Sequence, residues 1–177
     1  MKTFIKNIFL NLLKITLKDI ITFLIVALFC ITLDLYTKHI VFNTEFSVLK
    51  VCKIFNIVKV ENYGVSFGLF SDSNLLVKNL IILFNIIVCL ILLYLLGTKH
   101  GYKQPNLFLF SISIIISGAI GNIIDRIKFG YVRDFLDFHI VDKHWPAFNI
   151  ADCCICIGVG LWIILEMCKN KDVNKRK

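Results

Sequence analysis

Four long apolar runs constrain this chain more than any other feature of its sequence. They lie at residues 20–36, 79–96, 107–124 and 150–167. Each run approaches the roughly 20 apolar residues that a helix needs to cross the hydrocarbon core of a bilayer. Because 58% of the 177 residues are hydrophobic and the mean hydropathy is +0.79, we predict an all-α membrane protein with four transmembrane helices.

The positive charges indicate which ends of these helices lie in the cytoplasm. The formal net charge is +8, but the basic residues lie in tails and loops rather than on one folded face, so we expect no nucleic-acid partner. Eleven of the twenty Lys and Arg residues lie in the N-terminal segment, in the short loop with Lys99 and Lys103, and in the C-terminal tail. The positive-inside rule therefore predicts a multi-pass protein with both termini in the cytoplasm.

Residues 1–19 differ from the apolar runs. Their four lysines are interspersed with apolar residues that recur at helical spacing, which predicts an amphipathic helix on the membrane surface. A cleaved signal peptide is the competing interpretation, but no convincing small-residue cleavage site follows the next apolar run. We therefore divide the chain into this interfacial helix, a single membrane domain at 20–168 and a basic cytoplasmic tail at 169–177.

Two loops connect the predicted helices on the outer, extracytoplasmic side. The loop at 37–78 alternates polar and apolar residues between Phe55 and Val60, which predicts a small β-sheet resting on the membrane as a cradle. The segment NYGVSFG at 62–68 is predicted to turn. The loop at 126–148 is aromatic enough to lie at the membrane interface.

The third apolar run carries small residues on one face. Ser113, Ser117 and Gly121 are spaced four apart, and Gly118 lies beside them. Small residues let helix backbones approach closely in lipid, so we interpret this stripe as packing rather than chemistry.

The polar residues that interrupt the apolar pattern fall near the outer membrane face. Asp34, Asp125 and Asp152 lie at the outer ends of the first, third and fourth runs, and Asn62 and Asp134 lie in outer loops. Acids are costly in a membrane and usually functional there. A small transporter is an alternative, but its ion relay would place acids through the depth of the membrane. The clustering of the acids near one face therefore argues against a transporter. A purely structural subunit is a further alternative, and it would tolerate Asp→Asn substitution at solvated positions.

Asp125 lies in a polar helix end. It follows Asn122 by three residues and immediately precedes Arg126, so the three share one end of the third helix. A carboxylate held by a cation stays ionised, so we expect Asp125 to position its neighbours.

Asp134 and Asp152 lie in contrasting surroundings. The apolar neighbours of Asp134 would raise the pKa of its carboxyl group, although Arg133 acts in the opposite direction. Pro146 marks the approach to the fourth helix, and Asn149 suits its N-cap. Asp152 then falls in the first turn, where the helix dipole favours a negative charge.

This contrast suggests a reaction. The surroundings of Asp134 favour its protonated form, and those of Asp152 favour its ionised form. Two such carboxyl groups can divide the acid and base roles of aspartic hydrolysis between them. The histidines show no Ser–His–Asp partner pattern, and the other acids of the second outer loop are interpreted as ordinary loop acids. Cys153, Cys154 and Cys156 diverge on one helix with no His spaced to complete a zinc site, so we expect no metal.

Four blocks of the sequence resemble one known family, in the order in which the family has them. They are DLYTK at 34–38, NYGVSFG at 62–68, SGAIGNIIDRIKFGYVRDF at 117–135 and WPAFNIADCCICIG at 145–158. Through these blocks the chain resembles bacterial lipoprotein signal peptidase, also called signal peptidase II. The resemblance covers almost the whole chain after the N-terminal segment, and the last two blocks are highly specific.

The resemblance implies a four-helix membrane aspartic peptidase with an extracytoplasmic β-cradle and no cofactor. Members of the family remove the signal peptide from prolipoproteins by cleaving before a diacylglyceryl-modified cysteine. By motif, VRDF and FNIAD make Asp134 and Asp152 the catalytic aspartates. The substrate-binding or site-supporting residues would be Asp34, Lys38, Asn62, Gly64, Asn122, Asp125, Arg126 and Asn149.

The resemblance also sets expectations for partners and location. It implies prolipoproteins and membrane lipids as partners, and a monomer in the bacterial inner membrane. Its active site would lie near the extracytoplasmic face, where globomycin-type inhibitors would block it. The chain departs from the family at Leu35, where Gln is usual, at Ser66, where Ala is common, and at Ser117, where Gly is frequent. Leu35 bears on the polar contacts around Asp34.

Overall fold

A computed structural model of the chain describes residues 15–64, 75–97 and 104–175, with side chains described to residue 168. Within these ranges the elements are α1 (Leu17–Phe42), β1 (Val48–Cys52), β2 (Phe55–Asn62), α2 (Leu75–Leu96), α3 (Pro105–Phe129), β3 (Val132–Ile140), β4 (Lys143–His144) and α4 (Ile150–Lys175). Each of the four helices contains a stretch long and apolar enough to cross a membrane, as the sequence predicts.

Helix α1 begins earlier than its apolar run because of a capping box. The backbone N–H of Asp19 donates to Thr16 Oγ1 over 3.3 Å, and the backbone N–H of Thr16 donates to Asp19 Oδ2 over 2.8 Å. Residues 17–19 are therefore part of the first membrane helix. The prediction that they belong to a separate interfacial helix is wrong.

Three sequence predictions fall partly outside the described residues. They are the interfacial helix at 1–14, the end of the predicted turn at 65–68 and the side chains of the basic tail at 169–177.

Helix α1 also continues past its apolar run, to Phe42. Asp34, expected at the outer end of that run, and Lys38, expected in the loop after it, both lie inside α1 and are buried against each other. Because they pair inside the bundle, their polarity does not interrupt the helix.

Helix α3 lies at the centre of the bundle. In its membrane-crossing window 72% of residues are buried, against 17% in each of the other three helices. The small residues make this packing possible: a Cβ on Gly118 would clash with the carbonyl oxygen of Ala151, and a Cβ on Gly121 would lie 2.6 Å from Asp34 Oδ2. The predicted packing role of the small-residue stripe is confirmed at these two positions.

The apolar core lies in the first half of α3, away from the sheet. Its buried members come from α2, α3 and α4 and are Leu92, Leu96, Phe108, Leu109, Ile112, Ile115, Ile116 and Leu165. Trp162 packs edge-on against Phe108, with ring centroids 6.5 Å apart. This core holds the helices together at one end and leaves the second half of α3 to carry polar residues.

A four-stranded antiparallel sheet, in the order β1-β2-β3-β4, caps the other end of the bundle. The first outer loop supplies β1 and β2, as predicted, but β3 and β4 come from the second outer loop, which the sequence analysis leaves out of the sheet. The alternation typical of a strand is weak in β3 because its first four residues are all buried. In the β2–β3 register, Asn62 pairs with Val132 and Val60 pairs with Asp134.

Candidate active site

The predicted site residues converge where the second half of α3 meets the sheet. Helix α1 contributes Asp34 and Lys38, and β2 and the turn after it contribute Asn62 and Gly64. The remaining residues come from α3, β3 and the start of α4, and they are Asn122, Asp125, Arg126, Asp134, Asn149 and Asp152. Hydrogen bonds and ion pairs connect these ten residues into a network described below.

The start of α4 is held against β3 by backbone hydrogen bonds. The N–H groups of Phe135 and Leu136 donate to the carbonyl oxygen of Phe148 over 3.0 and 2.8 Å, and the N–H of Phe148 donates to the carbonyl oxygen of Leu136 over 3.1 Å. Asn149, the next residue, is therefore brought beside Asp134.

Asn149 caps α4, as the sequence predicts, and Asp152 in the first turn accepts a hydrogen bond from it in return. The backbone N–H of Asp152 donates to Asn149 Oδ1 over 2.9 Å, and the backbone N–H of Asn149 donates to Asp152 Oδ2 over 3.2 Å. The carboxylate of Asp152 thus lies at the positive end of the α4 dipole, partly exposed, where a negative charge is favoured.

Asp134 lies in a more enclosed position. Its side chain is 1% exposed, and its two oxygens accept hydrogen bonds from Asn62 Nδ2 (2.9 Å) and Asn149 Nδ2 (2.6 Å). Burial, together with the negative charge of Asp152, raises the pKa of Asp134 to about 7 even though both amides favour the ionised form. The direction of this pKa shift agrees with the sequence prediction.

Three amide side chains have orientations fixed by groups that can only donate. Asn62 Oδ1 accepts from the backbone N–H of Gly64 over 3.1 Å, and Asn122 Oδ1 accepts from Lys38 Nζ over 3.1 Å. Asn149 Oδ1 accepts from the backbone of Asp152, as described above. Each amide must therefore direct its NH2 group toward an aspartate.

Asn122 and Asn149 link the two acids through these NH2 groups. Asn122 Nδ2 donates to Asp152 Oδ1 over 2.8 Å, while Asn149 Nδ2 contacts both Asp134 Oδ1 and Asn122 Oδ1. Asp134 and Asp152 thus accept hydrogen bonds from the same residue, Asn149.

A chain of alternating charges lies beneath this pair. Lys38 Nζ contacts Asp34 Oδ2 (2.7 Å) and Asp125 Oδ2 (3.3 Å), and Asp125 Oδ1 contacts Arg133 Nη2 (2.7 Å). The other oxygen of Asp34 accepts from the backbone N–H of Ala151 over 2.8 Å, which joins α1 to α4. Asp125 therefore pairs with Lys38 and Arg133 rather than with the adjacent Arg126 that the sequence suggested.

Arg126 instead extends toward the turn after β2. Its Nη2 donates to the carbonyl oxygen of Gly64 over 2.9 Å, and its charge interacts with those of Asp152, Asp134 and Asp125. Its Nε is buried and has no hydrogen-bond partner among the described residues. Arg126 thus brings positive charge and an unused donor to the acidic site.

The charges of the site balance when its carboxyl groups hold one proton. Four carboxyl groups face three cations, and these groups are Asp34, Asp125, Asp134 and Asp152 against Lys38, Arg126 and Arg133. Because an uncompensated buried charge is expensive, the singly protonated state is the one that burial favours. Burial and the charge of Asp152 raise the pKa of Asp134 to about 7, so this carboxyl group is able to hold a proton near neutrality.

Sequence reasoning misses two features near the site. The sequence suggests an effect of Arg133 only on Asp134, but the side chain of Arg133 pairs with Asp125. Asp137, interpreted as an ordinary loop acid, is buried and accepts from Asn56 Nδ2 over 2.9 Å, while His144 Nδ1 lies 2.8 Å from its Oδ1. Burial opposes ionisation of Asp137, but the His144 and Asn56 contacts outweigh it and lower the pKa. This cluster links β2, β3 and β4.

Whether the site suits a metal ion depends on the chemistry of its side chains, and its described residues supply carboxylates, amides and cations. Among the residues that the structure describes, no group of three or more His, Cys, Asp or Glu side chains is arranged to hold one. The oxygens of Asp134 and Asp152 face amide and backbone donors instead.

Two acids that share a hydrogen-bonding residue, one of them buried with a raised pKa, have the arrangement that aspartic hydrolases use. Set at one end of four membrane helices, this arrangement defines a membrane aspartic peptidase. A profile of the family described as signal peptidase (SPase) II matches residues 26–168. The chain belongs to this signal peptidase II family and is a multi-pass bacterial membrane protein and a hydrolase.

Individual relatives agree with the family match. The chain is 36% identical over 152 residues to a lipoprotein signal peptidase of Sulfurihydrogenibium, covering 85% of this chain and 93% of the relative. It is 39% identical over 166 residues to one of Francisella tularensis, covering 92% and 99%. A bacterial membrane enzyme solved by the in meso method superposes with a TM-score of 0.73 at 30% identity, covering 88% of this chain and 92% of that one.

Proposed function

We propose that this protein removes the signal peptide from prolipoproteins, with Asp134 and Asp152 as its catalytic pair. The hydrolysed bond would be the one before the diacylglyceryl-modified cysteine, as expected for the signal peptidase II family. The observation that carries the choice of residues is their joint hydrogen bonding to Asn149, combined with a pKa of about 7 for Asp134. No other pair of carboxyl groups among the described residues combines these two properties.

The two acids would divide the reaction between them. Asp152, at the α4 N-terminus, takes a proton from the attacking water, while protonated Asp134 transfers its proton to the scissile carbonyl oxygen. The water oxygen bonds to the carbonyl carbon and gives a tetrahedral diol. Asp152 then returns its proton to the leaving nitrogen as the C–N bond breaks, and Asp134 recovers its proton from the diol.

The supporting residues would orient this pair and the substrate. Asn62, Asn122 and Asn149 direct NH2 groups at the two acids, and Lys38 fixes the Asn122 amide. Arg126 would hold the turn after β2 beside the two acids through its hydrogen bond to the carbonyl oxygen of Gly64. The signal helix would reach the site sideways from the bilayer and pack among the membrane helices.

Purified protein in detergent micelles tests the reaction directly. We expect it to cleave a diacylglyceryl-modified prolipoprotein once, immediately before the modified cysteine, and globomycin should inhibit the cleavage. The same prolipoprotein without the diacylglyceryl group is the matched control and should stay uncut. Equal cleavage of both substrates would refute the proposed lipid requirement.

Light scattering of the active fraction would test the proposal that the enzyme acts as a monomer.

The proposed orientation puts both termini in the cytoplasm and the sheet on the extracytoplasmic side of the inner membrane. Two exposed cysteines allow a test: Cys52 on β1, and Cys168 near the far end of α4. In variants that keep only one of them, a membrane-impermeant maleimide should label Cys52 in intact spheroplasts. Cys168 should react only after permeabilisation. The reverse pattern would invert the topology.

A further inference from the structure

We infer that Arg133 is a positioning residue for this reaction, which holds Asp134 and Asp152 in place through Asp125. The inference rests on the proposed function, since it concerns that pair of acids. Arg133 immediately precedes Asp134 on β3, so their side chains leave opposite faces of the strand. Asp134 can therefore face the proposed site while Arg133 faces the helix bundle.

Asp125 accepts hydrogen bonds from both the side chain and the backbone of Arg133. Its Oδ1 lies 2.7 Å from Arg133 Nη2 and 3.2 Å from Nε, and its Oδ2 accepts from the Arg133 backbone N–H over 3.0 Å. The guanidinium group also lies 4.4 Å from the ring centroid of Phe129, at the end of α3. One buried carboxylate of α3 thus fixes the backbone of β3 at the residue before Asp134.

Asp125 also connects Arg133 to the other acid. Its Oδ2 lies 3.3 Å from Lys38 Nζ, and that ammonium group donates to Asn122 Oδ1 over 3.1 Å. Asn122 in turn donates to Asp152. Without Arg133, Asp125 would attract Lys38 more strongly and draw it away from Asn122. Through Asp125, Arg133 therefore influences the positions of both acids. It acts on Asp134 through the backbone of β3 and on Asp152 through Lys38 and Asn122.

The charge of Arg133 also contributes to the balance of the site. Removing it leaves two cations for the four carboxyl groups counted above, so the carboxyl groups would hold their protons more tightly. The alkaline limb of the pH–rate profile, where Asp134 loses its proton, should then move to higher pH.

Two substitutions separate the geometry of Arg133 from its charge. Arg133→Met keeps an apolar side chain of similar length but removes the positive charge and the paired Nε and Nη2 contacts with Asp125. Arg133→Lys keeps the charge but cannot form these paired contacts. We expect Arg133→Met to lower kcat roughly tenfold to a hundredfold, with KM within about twofold of the wild-type value. The alkaline limb of its pH–rate profile should move to higher pH. Arg133→Lys should lower kcat less and leave that limb unchanged.

Lys128→Met is the matched control. Lys128 lies in the last turn of α3, over the same Phe129 ring as Arg133, at 5.1 Å, but it is exposed, and among the described residues the ion pairs of Asp125 are with Lys38 and Arg133. It should retain the kcat and the pH profile of the unmodified enzyme. All rates are referred to the monodisperse folded fraction, so that a loss of folding is not counted as a loss of catalysis.

Wild-type kcat and pH profile in Arg133→Met would overturn the inference. If Arg133→Met does not fold, Arg133→Lys decides: a lower kcat at unchanged KM supports positioning, and a wild-type kcat contradicts it. Asp152→Asn in the same assay distinguishes this failure from failure of the proposed function. Turnover by Asp152→Asn would reject the catalytic pair itself, whereas an inactive Asp152→Asn beside a fully active Arg133→Met rejects only the role of Arg133.

Discussion

Asp152→Asn is expected to lower kcat for prolipoprotein cleavage by at least about a thousandfold while the protein stays folded. An amide has almost the same shape as a carboxylate but cannot take a proton from water. The substitution also removes one hydrogen bond, because an Asn side chain can accept from only one of the two donors that face Asp152, the backbone N–H of Asn149 and Asn122 Nδ2. That loss costs about 1 kcal/mol of stability, far less than the expected loss of activity.

Asp134→Asn should be inactive for a different reason, since it removes the proton donated to the scissile carbonyl. Asn62 and Asn149 each donate to one oxygen of Asp134, so the substituted amide can satisfy only one of them. Asp142→Asn is the matched control, because Asp142 is an exposed acid of the same outer segment. Full activity in either Asp134→Asn or Asp152→Asn would reject the assignment of the pair.

The same pair predicts the pH dependence of kcat/KM. Asp134 must be protonated to act, and its pKa of about 7 means that activity falls as the pH rises through that value. Asn62→Ala removes a hydrogen bond that favours the ionised form, so it should move this alkaline limb to higher pH. A limb that stays in place in Asn62→Ala would argue against Asp134 as its source.

The sequence predicts the parts of the site that depend on local patterns. Asn149 and Asp152 are three residues apart at the start of one helix, and their capping follows from spacing alone. The length of the apolar runs likewise predicts the four helices, and the small residues predict how closely α3 packs. The contrast in their surroundings suggests Asp134 and Asp152 as a pair, and the family resemblance implies that they are the catalytic residues.

The remaining contacts depend on which distant segments meet, and no local pattern encodes that. Asp137 lies beside Asn56 because β2 and β3 pair in an antiparallel register. The sequence does not predict β3 as a strand, so it does not predict this contact. Asp125 chooses Arg133 over the adjacent Arg126 because the chain turns after α3, at Gly130 with φ of +89°, and brings β3 back across the helix end. The extension of α1 to Phe42 depends in the same way on burial of Lys38.

Lys38→Met should be the most destabilising single substitution in the site. The ammonium group is 0% exposed and contacts Asp34, Asp125 and Asn122. Its loss leaves two buried carboxylates with one counter-ion fewer, which costs about 3–5 kcal/mol. For a chain of this length that cost corresponds to a decrease in Tm of roughly 10 °C. Thermal unfolding in detergent micelles measures it, with Lys50→Met, an exposed lysine on β1, as the matched control.

A second substitution separates the charge of Lys38 from its hydrogen bond to Asn122. Asp34→Asn with Lys38→Met removes one unpaired carboxylate and keeps an acceptor for the Ala151 N–H, so part of the lost Tm should return. Activity should not return, because Asn122 would still lack the donor that directs its NH2 group at Asp152. A double variant that regains both Tm and kcat would mean that Lys38 acts only as a counter-ion. Recovery of Tm alone would identify it as the group that orients Asn122, and through it the acid proposed to activate water.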